Sequence, residues 1–298
     1  MKNKVQLCCL IIFLMVIISG CQNADRALSQ PDVSEQETPL IRLSYVDWSS
    51  EVASTHVMQA VIKEYLGYEC DVLSVPARSM WESVAAGDQD AMFGAWLPSL
   101  QKRYYEENKG KIINLGPNLE GAVMGIAVPS YVSITSLEEI EAFSQKFENR
   151  IIGIDPGAGI MSSAGEMLDT YQMQNLTLTS GSEETMVSAL ERAIEEERWI
   201  AITAWTPHWK FAKWDLKYLE DPQGIFGSEE HIATIVRMDL EEDYPDVYHL
   251  FDNFYWQPED MEQVMLWIVE DEMDPSEAAQ RWISENEDIV KEWINTLK

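Results

Sequence analysis

Cysteine is scarce, with four in 298 residues, and no disulfide framework can be drawn from them. Cys8 and Cys9 lie in an apolar leader segment, Cys21 follows it directly, and only Cys70 falls in the rest of the chain. Hydrophobic cores must therefore hold the folded part. Basic residues are also few: 21 Lys and Arg stand against 51 Asp and Glu, a formal net charge of −30 at pH 7. A surface of that sign repels nucleic acid and keeps an exported protein soluble, and it names no substrate by itself. The four histidines, His56, His208, His231 and His249, lack the close spacing of a zinc site. His208 has no nucleophile elbow or other nucleophile motif to act on, so it reads as a structural or supporting side chain. There is no Gly-Lys-Ser/Thr phosphate loop and no dinucleotide fingerprint. No catalytic residue, metal or cofactor is implied.

What is present begins with a leader. Met1–Gly20 carries Lys2 and Lys4, then an apolar run from Val5 to Ile18, which is shorter than the roughly 20 residues of a spanning helix. Ile18-Ser19-Gly20-Cys21 resembles a bacterial lipobox, which makes Cys21 the expected lipid-carrying first residue after cleavage. Residues 21–39 are polar and aperiodic, the composition of a flexible tether. The folded chain is expected from Leu40.

Beyond Leu40, apolar strand-like runs alternate with segments of helical period, the pattern of an α/β protein with largely parallel sheets. After Met238 the pattern is mainly helical, with starts marked by Pro258-Glu259 and Asp274-Pro275. A capping-box pattern at Thr135 or Ser136 opens a new unit after Pro129, and the turn-rich Glu220–Ser228 precedes a strand-like return. Two lobes are therefore expected, one from 40–129 with 232–298 and one from 130–231.

Three tryptophans end strand-like runs: Trp48 in LSYVDW, Trp96 in AMFGAW and Trp205 in AITAW. Ligands of open α/β sheets bind outside the carboxyl ends of strands. Any single tryptophan is as well a core residue; the equivalence of the three positions carries the reading. A quaternary ammonium has no N–H to donate, and aromatic faces hold such a cation at roughly 0.5 to 2 kcal/mol per contact. The run Ile151–Met161 (IIGIDPGAGIM) reads as a strand, a Gly-rich turn and a helix start. Free N–H groups there suit a carboxylate, while the same motif also serves as a plain tight turn.

The segments YVDWSSEVAST, MWESVAAGDQDAMFGAWLPSL, NLEGAVMGIAVPSY, IIGIDPGAGIM, ITAWTPHWKFAKWDLKYLEDP and EEHIATIVR together resemble the glycine betaine/proline betaine substrate-binding proteins of ABC transporters. The resemblance covers nearly all of Ile41–Lys298. It implies a two-lobed type II periplasmic-binding-protein fold that closes over its ligand in a cleft between the lobes, and a permease and its ATPase subunit as partners. It assigns Trp48, Trp96 and Trp205 to a box around the trimethylammonium group and the amides of Gly159 and Ile160 to the carboxylate. Where relatives carry a histidine that also meets the carboxylate, this chain has Gln101, a neutral donor. That departure admits choline, carnitine or another betaine beside glycine betaine. An exported α/β enzyme acting on choline-like compounds is the rival from another class, and its nucleophile or metal is not found beside the tryptophans.

Overall fold

The computed structural model describes residues 39–227 and 230–295. The expected leader, the lipidation site Cys21 and all but the last residue of the tether lie outside them. The chain runs through β1 (Leu40–Tyr45), α1 (Ser49–Val61), β2 (Glu69–Ser74), α2 (Ala77–Ala86), β3 (Ala91–Leu97), α3 (Lys102–Asn108) and the long β4 (Ile112–Pro129). Next come α4 (Leu137–Ile140), β5 (Arg150–Ile152), α5 (Gly159–Thr170), β6 (Thr177–Thr179), α6 (Glu183–Glu195), β7 (Ile202–Thr206), α7 (Lys210–Lys213) and β8 (Leu216–Tyr218). After β9 (Glu230–Arg237), the last described part is helical: α8 (Leu240–Asp243), α9 (Pro245–Asn253), α10 (Pro258–Val269), α11 (Pro275–Glu285) and α12 (Glu287–Ile294).

The strands follow the order β2-β1-β3-β9-β4-β7-β5-β6, with β8 also on β4. Their directions are mixed. The pairs β1 with β2, β1 with β3, β5 with β6 and β5 with β7 are parallel, as the alternating pattern predicts. The expectation of largely parallel sheets fails at β4 and β9, which pair antiparallel with each other, while β9 lies antiparallel to β3 and β4 to β7 and β8. The cause is the passage between the two sheets, which β4 makes within one strand and without a crossover helix. β4 pairs with β9 through residues 112–122 and with β7 and β8 through 123–129, so the chain passes from one sheet to the other inside one strand. Register shifts near Gly116 and Gly121, both at positive φ, bend it there.

All seven residues of β3 are buried, the signature of a central strand covered on both faces. One cover is the C-terminal helices: Phe93 meets Phe251 and Phe254 edge to face at 5.1 and 5.6 Å. Trp293 meets Phe254 and stacks on Trp282. These rings account for the aromatic richness of the last 50 residues as packing. Among the described residues no helix is long and apolar enough to cross a membrane.

Candidate functional site

Each of the three tryptophans is fixed by the end of a strand. Trp48 follows β1 in extended conformation as the residue before α1, while Trp96 and Trp205 lie near the ends of β3 and β7. They converge on one small cavity, where Gly159 and Ile160 join them. Leu100, Ile154 and Ala158 complete its wall. Trp48, Trp96 and Leu100 follow or end strands β1 and β3 of one sheet, and the rest follow or end β5 and β7 of the other, so the cavity lies between the two sheets. All three indoles are buried. Trp48 is held by its indole N–H, which donates to Asp155 Oδ2 at 3.1 Å across the two lobes. Asp155 thus orients a cavity wall.

Gly159 and Ile160 are the first two residues of α5, where backbone N–H groups have no carbonyl partner within the helix. Glycine is required at 159 by space: a Cβ there would lie 2.1 Å from the carbonyl oxygen of Leu100. The β3–α3 connection therefore closes directly onto the helix start, and Tyr104 Oη donates to the Gly157 carbonyl at 2.8 Å beside it. Free amides at one end and three indoles around the other give the cavity an anion-accepting pole and an aromatic pole.

Gln101 is the one expected site residue that does not line the cavity. It is buried next to Leu100, its Oε1 accepts from Trp81 Nε1 at 2.9 Å, and its Nε2 has no hydrogen-bond partner among the described residues.

Four titratable side chains that the sequence leaves without a binding role are buried behind the cavity: Glu51, Glu183, His208 and Lys210. Glu51, in the first turn of α1, packs its carboxyl on Gly94, where a Cβ would lie 2.2 Å from it, and its Oε2 accepts from the Val46 N–H at 2.7 Å. Burial pushes its pKa up to about 8, against the Val46 hydrogen bond and with help from Glu183. Glu183 starts α6 and bridges the lobes: Oε2 accepts from the Ser49 N–H at the start of α1, and Oε1 lies 3.0 Å from His208 Nε2. His208 Nδ1 accepts the Lys210 N–H, so its proton is on Nε2 and points at Glu183. Burial, then the neighbouring Lys210, hold His208 down to about 4. Burial alone would raise Glu183, but His208, Ser49 and Lys210 outweigh it and keep the carboxylate below its usual range. The pair is thus an ionised carboxylate accepting from a neutral imidazole. Among these groups the sequence analysis singles out only His208, in the TPHW motif.

Two mixed α/β lobes joined through β4 and β9, with a small aromatic-walled cavity between them, define a solute-binding protein of the ABC-transporter class. The chain belongs to the family described as the substrate binding domain of ABC-type glycine betaine transport systems, whose model matches residues 39–285. It is 47% identical over 150 residues to the glycine betaine/carnitine transport binding protein GbuC of Listeria monocytogenes, a match spanning half of each chain. Among solved structures, the glycine betaine, L-proline-binding protein ProX of Borrelia burgdorferi superposes with a TM-score of 0.83 at 36% identity, covering 86% of this chain and 96% of that one. Lactococcal OpuAC, closed and complexed with glycine betaine, superposes with a TM-score of 0.82 at 39% identity, covering 86% and 99%.

Proposed function

We propose that this chain is an extracytoplasmic, lipid-anchored receptor that captures glycine betaine and delivers it to an ABC importer. The observation that carries the reading is the convergence of Trp48, Trp96 and Trp205 on one cavity that the start of α5 also lines. The indoles hold the trimethylammonium group and the Gly159 and Ile160 amides hold the carboxylate. Gln101 does not line the cavity, and its unpartnered Nε2 would serve that carboxylate as a neutral donor only with the side chain turned from Trp81 toward the ligand. The described part would close as two lobes about the passage inside β4, where residues 112–122 pair with β9 and 123–129 with β7 and β8, so the boundary would fall near residue 122 rather than at 129. Anchoring would run through Cys21 and the tether that follows it, and the partners are a permease and its ATPase subunit.

The names of GbuC and OpuAC support glycine betaine, and GbuC's also supports carnitine as a second ligand. Titration calorimetry of residues 38–298, which form one compact unit, with glycine betaine, proline betaine, carnitine and choline tests the reading. At least one must bind, and Ala in place of Trp48, Trp96 or Trp205 must weaken it about tenfold or more, the loss of about 1.4 kcal/mol per cation–π contact. No binding of any of the four, or unchanged affinity in all three variants, overturns it.

A further inference from the structure

Lys210 has no part in the site just described, yet among the described residues it is the one buried Lys or Arg. Its Nζ lies 4.2 Å from the ring centroid of Trp205 and 5.3 Å from that of Phe211, and it donates one long hydrogen bond, 3.4 Å, to the Trp205 carbonyl. Lys210 does not line the cavity, so it meets Trp205 from outside the cage. Both faces of an indole share one π system. A proton on Lys210 draws on the same electron density that a quaternary ammonium in the cavity needs, and it sets a like charge across a ring that excludes screening water.

The groups around Lys210 are named by the packing. Glu183 of α6 is the charge that acts on it, with His208 between them in the loop before α7. Glu51 of α1 lies beyond Glu183, Glu262 of α10 accepts from the His208 backbone, and Asp155 is bonded to Trp48. Lys213, on the same short helix, is turned to Glu191 and Glu270.

We propose that Lys210 is a specificity-determining residue of the cage: its charge opposes a quaternary ammonium beside Trp205, so capture tightens when Lys210 gives up its proton. Burial pushes the Lys210 pKa well below its ordinary value, with Glu183 opposing, which brings that proton loss down from the strongly alkaline range.

The proposal rests on the quaternary-ammonium reading, and calorimetric titration of residues 38–298 with glycine betaine from pH 5 to pH 10 separates the two. The wild type should tighten roughly tenfold as pH rises. Lys210→Met should bind at the tight level throughout, and Lys210→Arg, which stays charged, should remain at the weak level. Absence of wild-type binding at every pH overturns the ligand reading. A flat wild-type profile, or a Lys210→Met variant that keeps the wild-type slope, overturns the role of Lys210 alone. A Glu51→Gln variant that loses the slope assigns it to Glu51 and likewise overturns that role. If Lys210→Met does not fold, wild-type titrations in buffers of different ionisation enthalpy decide: proton release on binding supports the proposal, and none at any pH overturns it.

Discussion

Glu51 is a carboxyl placed where no charge can be solvated. It is protonated in the fold up to about pH 8, whereas in the unfolded chain it ionises near 4.5. Its contribution is therefore fully present below about 4.5 and lost as pH rises through about 8, with a cost of roughly 3 kcal/mol already at pH 7. Glu51→Gln keeps the shape and never ionises, so chemical denaturation should show it gaining on the wild type steadily between pH 5 and pH 8. A difference that stays constant over that range would mean Glu51 is ionised in the fold. His208 works in the opposite direction, its contribution present above about 6.5 and lost as pH falls through about 4. At this scale the sequence was legible where a residue's role follows from its place in a pattern. The three tryptophans were found because strand ends face ligands in open sheets. Glu51 and Asp155 carry no such pattern, because their use depends on which backbone or indole N–H the fold brings near. Lys210 was invisible for the same reason, since its burial is decided by residues far along the chain.

The start of α5 is where local geometry and ligand capture meet. Gly159 lets the Leu100 carbonyl approach the helix N-terminus to a distance that no side chain allows. Gly159→Ala adds a good helix former to the first turn, so the second lobe loses little stability. Because Cβ would meet backbone rather than a flexible side chain, the β3–α3 connection must retreat from α5. The expected outcome is a melting temperature within a few degrees of wild type and glycine betaine affinity reduced by tenfold or more, read by calorimetry. Equal affinity would show that the ligand does not need this approach. Elements with unbroken apolar runs, such as β1, β3 and β9, were evident in the sequence. The first half of β4 was not, because Gly116, Pro117 and Gly121 read as turns, while here they bend one strand into two sheets. β6 and β8, three residues each, are too short to show a period. Directions followed the same limit, since a strand that crosses between lobes breaks the βαβ rule that predicts parallel pairing.

For the molecule as a whole, function turns on how firmly the two lobes are held together before ligand arrives. Trp48 to Asp155 and Ser49 to Glu183 join them beside the cavity. A third tie lies further out: Lys213 bonds Glu191 of α6 at 3.3 Å and Glu270, the residue capping the C-terminus of α10, which packs on α1, at 2.9 Å, with its Nζ over the rings of Trp214 and Trp209 at 4.9 and 5.6 Å. The Lys213 side chain is 30% exposed, so salt screens the tie and its strength is modest, about 1 kcal/mol. That is enough to matter for a balance between open and closed forms, where 1 kcal/mol changes the populations about fivefold. Lys213→Met keeps the aliphatic stem against the indoles and removes the charge. Without ligand, small-angle scattering should then give a larger radius of gyration than wild type in low salt, and the difference should shrink as added salt weakens the wild-type tie. Saturating glycine betaine should return both proteins to one closed radius, with the variant needing about fivefold more ligand to reach it. Identical radii and affinities at all salt concentrations would leave closure to the contacts at the cavity alone.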